Sequence, residues 1–258
     1  MTRALAAAGC VAAADEAAEL VAAAADPGAL EAMVARRVAG EPLAWITGTA
    51  EFCGRTVDVR PGVYVPRWQS EALARTAADL LPPRGTAVDL ATGSGAVALV
   101  LQAARPEARV VATESDPVAT ACARANGVDV RQGDLDGPLP RDLAGTVDVM
   151  TGVLPYVPVD ALHLLPRDVL TYEPRTALDG GDGGLGIITR AVRRSTRWVR
   201  RGGWLLLEAG GGQFDQVRSL FADSGYGGIR VLLDGDGDPR AVCGRLGGPV
   251  APGQASSR

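Results

Sequence analysis

From about residue 70 to residue 246, short apolar runs alternate with stretches of helical periodicity. That is the pattern of a sheet with helices on both faces. The strands it predicts span 86–90, 109–114, 128–131, 146–151, 203–209, 229–233 and 240–245. Residues 1 to about 45 differ: they are alanine-rich with helical spacing, broken at Asp26-Pro27-Gly28, and Gly40-Glu41-Pro42 is predicted to end the last helix. Helices of this composition bury little apolar area each, so they are expected to lean on the main domain. Between the two regions, Thr56-Val57-Asp58-Val59 alternates, Pro61-Gly62 supplies a turn, and Val63-Tyr64-Val65 alternates back. This predicts a hairpin over 51–67. The expected organisation is a helical domain over 1–50, a hairpin linker over 51–69, an α/β domain over 70–246, and a disordered Gly/Pro/Gln/Ser tail over 247–258.

The densest chemistry lies where the first strand of the α/β region ends. Val88-Asp89-Leu90 closes an apolar strand, Ala91-Thr92-Gly93-Ser94-Gly95 is uniformly small, and Ala96 onward is apolar and helix-forming. Small residues let backbone amides approach a ligand, and the helix N-terminus adds positive potential. A tight strand-to-helix turn with no ligand has the same local pattern. The run is not the dinucleotide G-x-G-x-x-G; it reads D-x-A-x-G-x-G and resembles the S-adenosylmethionine loop of Rossmann-like methyltransferases. The next strand, residues 109–114, ends in Glu114 about 20 residues on, a spacing at which a carboxylate can accept both ribose hydroxyls. Glu114 could also be an ordinary strand-end acid. Asp116-Pro117 reads as N-cap and first residue of a helix through Ala125. Gly133-Asp134-Leu135 follows the third strand, where this class of fold places adenine contacts, although Asp134 reads equally as a solvated turn acid.

Composition narrows the alternatives. A chain of 258 residues is long enough for one ordinary domain and a small one. A net charge of −4 gives no bulk attraction to nucleic acid or membrane. Every basic side chain other than the single His163 is arginine. Cys10, Cys53, Cys122 and Cys243 are scattered, which reads as reduced thiols in a cytoplasmic protein rather than disulfides or metal ligands. No run is long enough to span a bilayer.

After the fourth strand comes Thr151-Gly152-Val153-Leu154-Pro155-Tyr156. With Gly40-Glu41-Pro42-Leu43-Ala44-Trp45-Ile46, Glu51-Phe52-x-Gly54, Val65-Pro66-Arg67, Tyr172-Glu173-Pro174-Arg175 and Gly202-Gly203-Trp204-Leu205-Leu206-Leu207-Glu208, the chain resembles the HemK/PrmC family. That family methylates the side-chain amide nitrogen of a glutamine in class I peptide release factors. The resemblance implies a class I methyltransferase with a seven-stranded, mostly parallel sheet and S-adenosylmethionine as cofactor. It implies cofactor contacts from Asp89, Ala91, Thr92, Gly93, Ser94, Gly95, Glu114, Asp134 and Leu135. It implies an acceptor site made by Val153, Leu154, Pro155, Tyr156 and Arg67, the middle three in catalysis, and a release factor or another protein as partner.

The chain departs from the family at its signature. Where the family has Asn-Pro-Pro-Tyr, this sequence has Val153-Leu154-Pro155-Tyr156. An amide nitrogen is a poor nucleophile because its lone pair is delocalised into the carbonyl. The asparagine oxygen and the next backbone carbonyl accept its N–H groups and turn lone-pair density toward the sulfonium methyl. Valine has no acceptor, and the only asparagine of the chain is Asn126. The alternatives are a cofactor-binding protein that has lost amide methylation, or a methyltransferase for RNA or a small molecule. Three further features carry less. Gly211-Gly212-Gln213 mimics the methylated Gly-Gly-Gln but falls in a glycine-rich family segment. Asp234-Gly235-Asp236-Gly237-Asp238 reads as a turn rather than a calcium loop. Arg190, Arg193, Arg194, Arg197, Arg200 and Arg201 are predicted on one face of a single helix, opposite Ile188, Ala191, Val192, Ser195 and Val199. That face is either solvated or a contact surface for an acidic partner or RNA.

Overall fold

The computed structural model describes residues 1–247, so nearly all of the predicted tail lies outside the described residues. Seven strands form one sheet: β3 (Thr86–Leu90), β4 (Arg109–Glu114), β5 (Val130–Gln132), β6 (Val147–Gly152), β7 (Val199–Glu208), β8 (Tyr226–Leu233) and β9 (Pro239–Leu246). Their spatial order is β5-β4-β3-β6-β7-β9-β8, all parallel except β9, which inserts antiparallel between β7 and β8. All seven predicted strands are present. The largest boundary change is at β7, which starts at Val199 rather than 203 because Val199 pairs with Val147 at the foot of β6.

Helices cover both faces, as the alternating pattern requires. On one side α5 (Glu71–Leu80), α6 (Ala96–Ala104) and α7 (Pro117–Ala125) bury Leu73, Ala77, Val97, Leu101 and Ala123. On the other, α9 (Gly186–Ser195) and α10 (Phe214–Asp223) bury Ile188, Val192, Val217 and Phe221. Helix α8 (Arg167–Tyr172) lies in the long connection between β6 and α9. Asp116 caps α7 through the Val118 and Ala119 amides at 2.7 and 2.9 Å, with Pro117 at the first helical position, as predicted. Asp234 accepts the Asp236 and Asp238 amides and pairs with Arg240, which makes 234–238 the β8–β9 turn.

Three expectations change. The hairpin is β1 (Thr49–Phe52) with β2 (Arg55–Asp58), a turn earlier than predicted. Cys53 and Gly54, at φ 52° and 70°, make a two-residue turn with both φ positive, which suits the twist of paired strands. Residues 63–65 stay outside the sheet because Val63 and Val65 are used as buried anchors, and the Val63 carbonyl accepts the Trp45 indole N–H at 2.9 Å. The helical region does not end at Pro42. After α1 (Thr2–Ala7), α2 (Ala13–Ala23) and α3 (Pro27–Val38), Pro42 leads into a further short helix, α4 (Leu43–Thr47). Helices α1 and α2 share a small core of their own with Ile46 of α4, and Trp45 joins that unit to Tyr172 of α8 in an edge-to-face contact at 6.2 Å.

The arginine face is the third change. Only Arg190, Arg193 and Arg194 belong to α9; Arg197 sits in the following turn, and Arg200 and Arg201 in β7. The helix stops at Ser195 because Trp198 and Val199 are needed in the core beside Val147. Arg190 pairs with Asp134, Arg194 with Asp136 at 3.2 Å, and Arg200 with Asp148 at 2.5 Å. These three of the six cations are matched within the chain, and the six do not share one helix face.

Asn126, at the C-terminal end of α7, ties three pieces together. Its side chain donates to the Ser94 carbonyl at 2.9 Å and the Asp58 carbonyl at 2.8 Å, and accepts the Asp58 amide at 3.1 Å. The hairpin and the glycine loop are therefore joined through one side chain. Asn126→Ala is expected to lower stability by about 1–2 kcal/mol, read as a lower denaturant midpoint with an unchanged slope. An unshifted midpoint would show that the three bonds do not hold the hairpin.

Candidate active site

The sheet changes winding direction between β3 and β6, and open α/β sheets bind ligands beyond the strand ends at that point. Here Leu90 pairs with Thr113 on one side and Gly152 on the other. The three connections leaving those strands, residues 91–95, 115–116 and 153–156, therefore open into one place. Residues 91–94, 115–116 and 153–156 line a cavity of about 850 Å³, within the size range of small-molecule sites, while Asp89 and Gly95 are not part of its lining.

The glycine loop is held from beneath. Asp89 is fully buried, and its two oxygens accept the Thr92 hydroxyl at 2.5 Å and the Thr151 hydroxyl at 2.7 Å. One carboxylate thus links the glycine loop to the strand that leads into residues 153–156. Burial raises its carboxyl to about 6, against the lowering effect of the two hydroxyls. Ala91, Gly93 and Gly95 have φ of 50°, 59° and 92°. Gly95 must be glycine on a second ground, since a Cβ there would sit 2.7 Å from Val128. Gly93 has nothing within 4 Å of its Cβ position, so its backbone borders open space in the cavity.

Glu114 faces this loop. Oε1 accepts the Ser115 and Asp116 amides at 2.7 and 2.9 Å, and Oε2 accepts the Gly93 amide at 2.9 Å. A carboxylate offers about four acceptor positions, so Oε2 keeps one for a hydroxyl in the cavity. Gly133, Asp134 and Leu135 line the same wall, but the Asp134 carboxylate turns outward to Arg190. Leu135 is buried with φ 47°. An open glycine turn, a buried acid with spare acceptor capacity and an apolar wall fit a ribose-bearing nucleoside.

The other half of the cavity is lined by residues 153–156. Leu154 and Pro155 are buried, Val153 packs on the core under α5 and α6, and all three line the cavity with Tyr156. Tyr156 is closely boxed. Its hydroxyl donates to Glu208 at 3.1 Å, a Cβ on Gly210 would lie 2.8 Å from its ring, and the Gln213 amide donates to its carbonyl at 2.8 Å. Gln213 of the Gly-Gly-Gln look-alike is therefore a buried latch. Arg67 lines the cavity, lies 5.2 Å over the Tyr64 ring and pairs with Glu173. Burial pushes the Glu173 carboxyl up despite that pairing, and pushes Tyr64 up to about 12. Sequence reasoning missed Tyr64, Gln69, Ser70 and Glu208 as cavity residues. The available signal was Glu208 itself, a carboxylate closing an otherwise apolar strand.

Fold, glycine loop and strand-end acid define a class I S-adenosylmethionine-dependent methyltransferase. A methyltransferase of Pyrococcus furiosus shares the fold, with a TM-score of 0.54 at 19% identity over 76% of this chain and 91% of that one. No family model matches the chain. Among curated proteins, the release factor glutamine methyltransferase of Geobacter sulfurreducens is 36% identical over 225 residues, 85% of this chain and 78% of that protein. The 4-amino-L-phenylalanine/4-methylamino-L-phenylalanine methyltransferase of Streptomyces pristinaespiralis is 38% identical over 203 residues, 74% and 69% of the two chains. The chain belongs to the release factor glutamine methyltransferase family, and S-adenosylmethionine is its cofactor.

Two outcomes follow from this geometry. Glu114→Ala is expected to weaken S-adenosylhomocysteine binding by about 1–3 kcal/mol, measured by calorimetry; unchanged affinity would remove Glu114 from the cofactor site. For Asp89, the folded carboxyl keeps a proton that the unfolded chain, at 3.8, has already lost. Its contribution to stability therefore falls as pH rises from about 4 to about 6. Asp89→Asn should flatten the pH dependence of unfolding across that window, and a slope identical to wild type would contradict the assignment.

Proposed function

We propose that this protein transfers the methyl group of S-adenosylmethionine to a side-chain amide nitrogen of glutamine in a class I peptide release factor. The observation that carries this reading is the meeting of residues 91–94 and 153–156 over one cavity at the winding switch. The bound cofactor supplies an electrophilic methyl on a sulfonium. Residues 91–95 and Glu114 hold and orient the nucleoside. The Leu154 carbonyl is the backbone acceptor for an incoming N–H, Pro155 shapes the pocket floor, and Tyr156 is its wall. On this reading the protein works in the cytoplasm beside the translation machinery.

Val153 makes the reaction slow. It supplies no acceptor where the family signature has an asparagine oxygen. One lost buried hydrogen bond to a reacting group costs about 1–3 kcal/mol, on the order of 10–150-fold in rate. A second reading is transfer to an amine of a small molecule. Val153 favours it, because an amine lone pair is not drawn into a carbonyl and needs no such alignment. The relative named for a 4-amino-L-phenylalanine acceptor favours it too.

Mass spectrometry of a purified release factor incubated with the protein and labelled cofactor tests the first reading, with a slow mass increase on the Gly-Gly-Gln glutamine expected. Val153→Asn, or the double change with Leu154→Pro, should raise that rate by about one to two powers of ten. Wild type as fast as an Asn-Pro-Pro-Tyr enzyme would refute the role given to the asparagine. Variants that stay inert while the cofactor binds would move the acceptor to the second reading.

A further inference from the structure

Methylation of nitrogen needs a lone pair that is free when the acceptor arrives. An aliphatic amine is mostly ammonium at neutral pH, so a base must first take its proton. An aromatic amine shares its lone pair with its ring and is already a neutral free base. The groups that line the cavity distinguish the two. Its carboxylates are all engaged within the chain. Glu16 pairs with Arg37 at 2.6 Å, and Asp168 stands beside that pair and accepts the Val169 amide at 3.0 Å. Glu114 holds the Gly93, Ser115 and Asp116 amides, Asp116 caps α7, and Asp134 turns to Arg190. Glu208 is buried, with the Tyr156 and Ser70 hydroxyls on its carboxylate. The one histidine, His163, does not line the cavity. Among the described residues, then, no lining group is a free base. Val153, Leu154 and Pro155 are apolar, and the cations Arg67 and Arg240 line the same cavity. An ammonium entering there would lose its water without gaining a counter-ion, whereas a neutral nitrogen escapes that cost.

The body of the acceptor has a surface of its own. Trp68 lines the cavity and is 50% exposed, although a side chain of that size gains most from burial. It opens the turn 68–70, whose Ser70 hydroxyl partners Glu208, and Glu208 in turn accepts the Tyr156 hydroxyl at 3.1 Å. That chain of contacts sets the turn beside the segment 153–156. Arg240 lies 5.6 Å over the indole and is itself held by Asp234 at 2.5 Å. A cation fixed in that position orients the ring and still leaves half of it open. With Tyr64 and Tyr156, Trp68 gives the cavity three partly exposed aromatic rings. Such rings receive a flat ring in offset-stacked or edge-to-face contact.

We infer that the small-molecule acceptor of this cavity is a primary aromatic amine, its ring against Trp68 and its nitrogen in the apolar corner of Val153, Leu154 and Pro155. This rests on the second reading of the cavity, transfer to an amine of a small molecule, and narrows it. The nitrogen lone pair forms the bond to the methyl carbon, and the carbon–sulfur bond breaks with its electron pair left on sulfur. The product nitrogen is then an aromatic ammonium, acidic enough to give its proton to water, so the absence of a free base in the lining is no obstacle. Trp68 is a specificity residue here: it touches the ring and takes no part in bond making.

The test compares two isomers, para-toluidine with its nitrogen on the ring and benzylamine with its nitrogen off it. With labelled cofactor, para-toluidine should be methylated at a rate that stays flat from about pH 6 to about pH 9, while benzylamine should climb by about tenfold per pH unit from a low rate at neutral pH. Trp68→Ala should raise the KM for para-toluidine by about 3–10-fold with S-adenosylhomocysteine affinity unchanged, and Trp68→Phe should restore it. In magnetic resonance spectra of the S-adenosylhomocysteine-loaded protein, the Trp68 indole N–H signal, assigned by its loss in Trp68→Phe, should move on addition of para-toluidine. A signal that stays in place overturns the inference, as does an unchanged KM in Trp68→Ala. Benzylamine methylated while para-toluidine is not overturns it too, and leaves the small-molecule reading standing. A preparation that methylates para-toluidine but no release factor supports the inference and overturns the first reading. One that binds S-adenosylhomocysteine and methylates neither amine overturns the inference and the small-molecule reading together.

Discussion

The Asp89 carboxylate is the point on which the site depends. It sits at the end of the central strand, fully buried, and its two oxygens are divided between Thr92 of the glycine loop and Thr151 of the neighbouring strand. That bridge adds a side-chain tie to the β3–β6 pairing that already joins the two halves of the cavity. With it, the turn that carries three positive-φ residues is held at a fixed height relative to the segment that follows β6. Glu114 then grips the same loop from the adjacent strand through the Gly93 amide. Two buried acids thus shape a loop of small residues whose own side chains supply little packing. Burial disfavours ionisation of Asp89, so the bridge has a cost in stability that the organised loop offsets.

Much of this was legible in the chain. The seven strands of the main sheet follow from apolar runs separated by helical periodicity, and strand existence depends only on burial. The strand-end acid and the capped helix after it follow from spacing and local chemistry. What was not legible was set by long-range pairing. The Pro61-Gly62 turn lost to Cys53-Gly54 because Trp45 draws residues 63–65 into a different interface. A cysteine at φ 52° gives no warning in sequence. The arginine stripe continued in helical register past Ser195, but Val199 was claimed by β6. Glu208 read as the last letter of a family block; that it meets the Tyr156 hydroxyl is set by the long-range pairing of β6 with β7.

At residue 153 the chain departs from the family signature. A carboxamide at position 153 would align an amide from the sheet edge. Valine there leaves an apolar wall packed on the core under α5 and α6. Family membership and this local departure are compatible: the relatives match the chain over most of its length, while residue 153 has no side-chain acceptor.

The central claim is that one cavity at the β3–β6 switch holds both reactants. A crystal structure of the protein with S-adenosylhomocysteine tests it most directly. The account predicts the ribose on Glu114, the methionine part over Gly93, and the sulfur facing the opening bounded by Val153, Tyr156 and Glu208. A nucleoside bound elsewhere, or a sulfur turned away from residues 153–156, would contradict it.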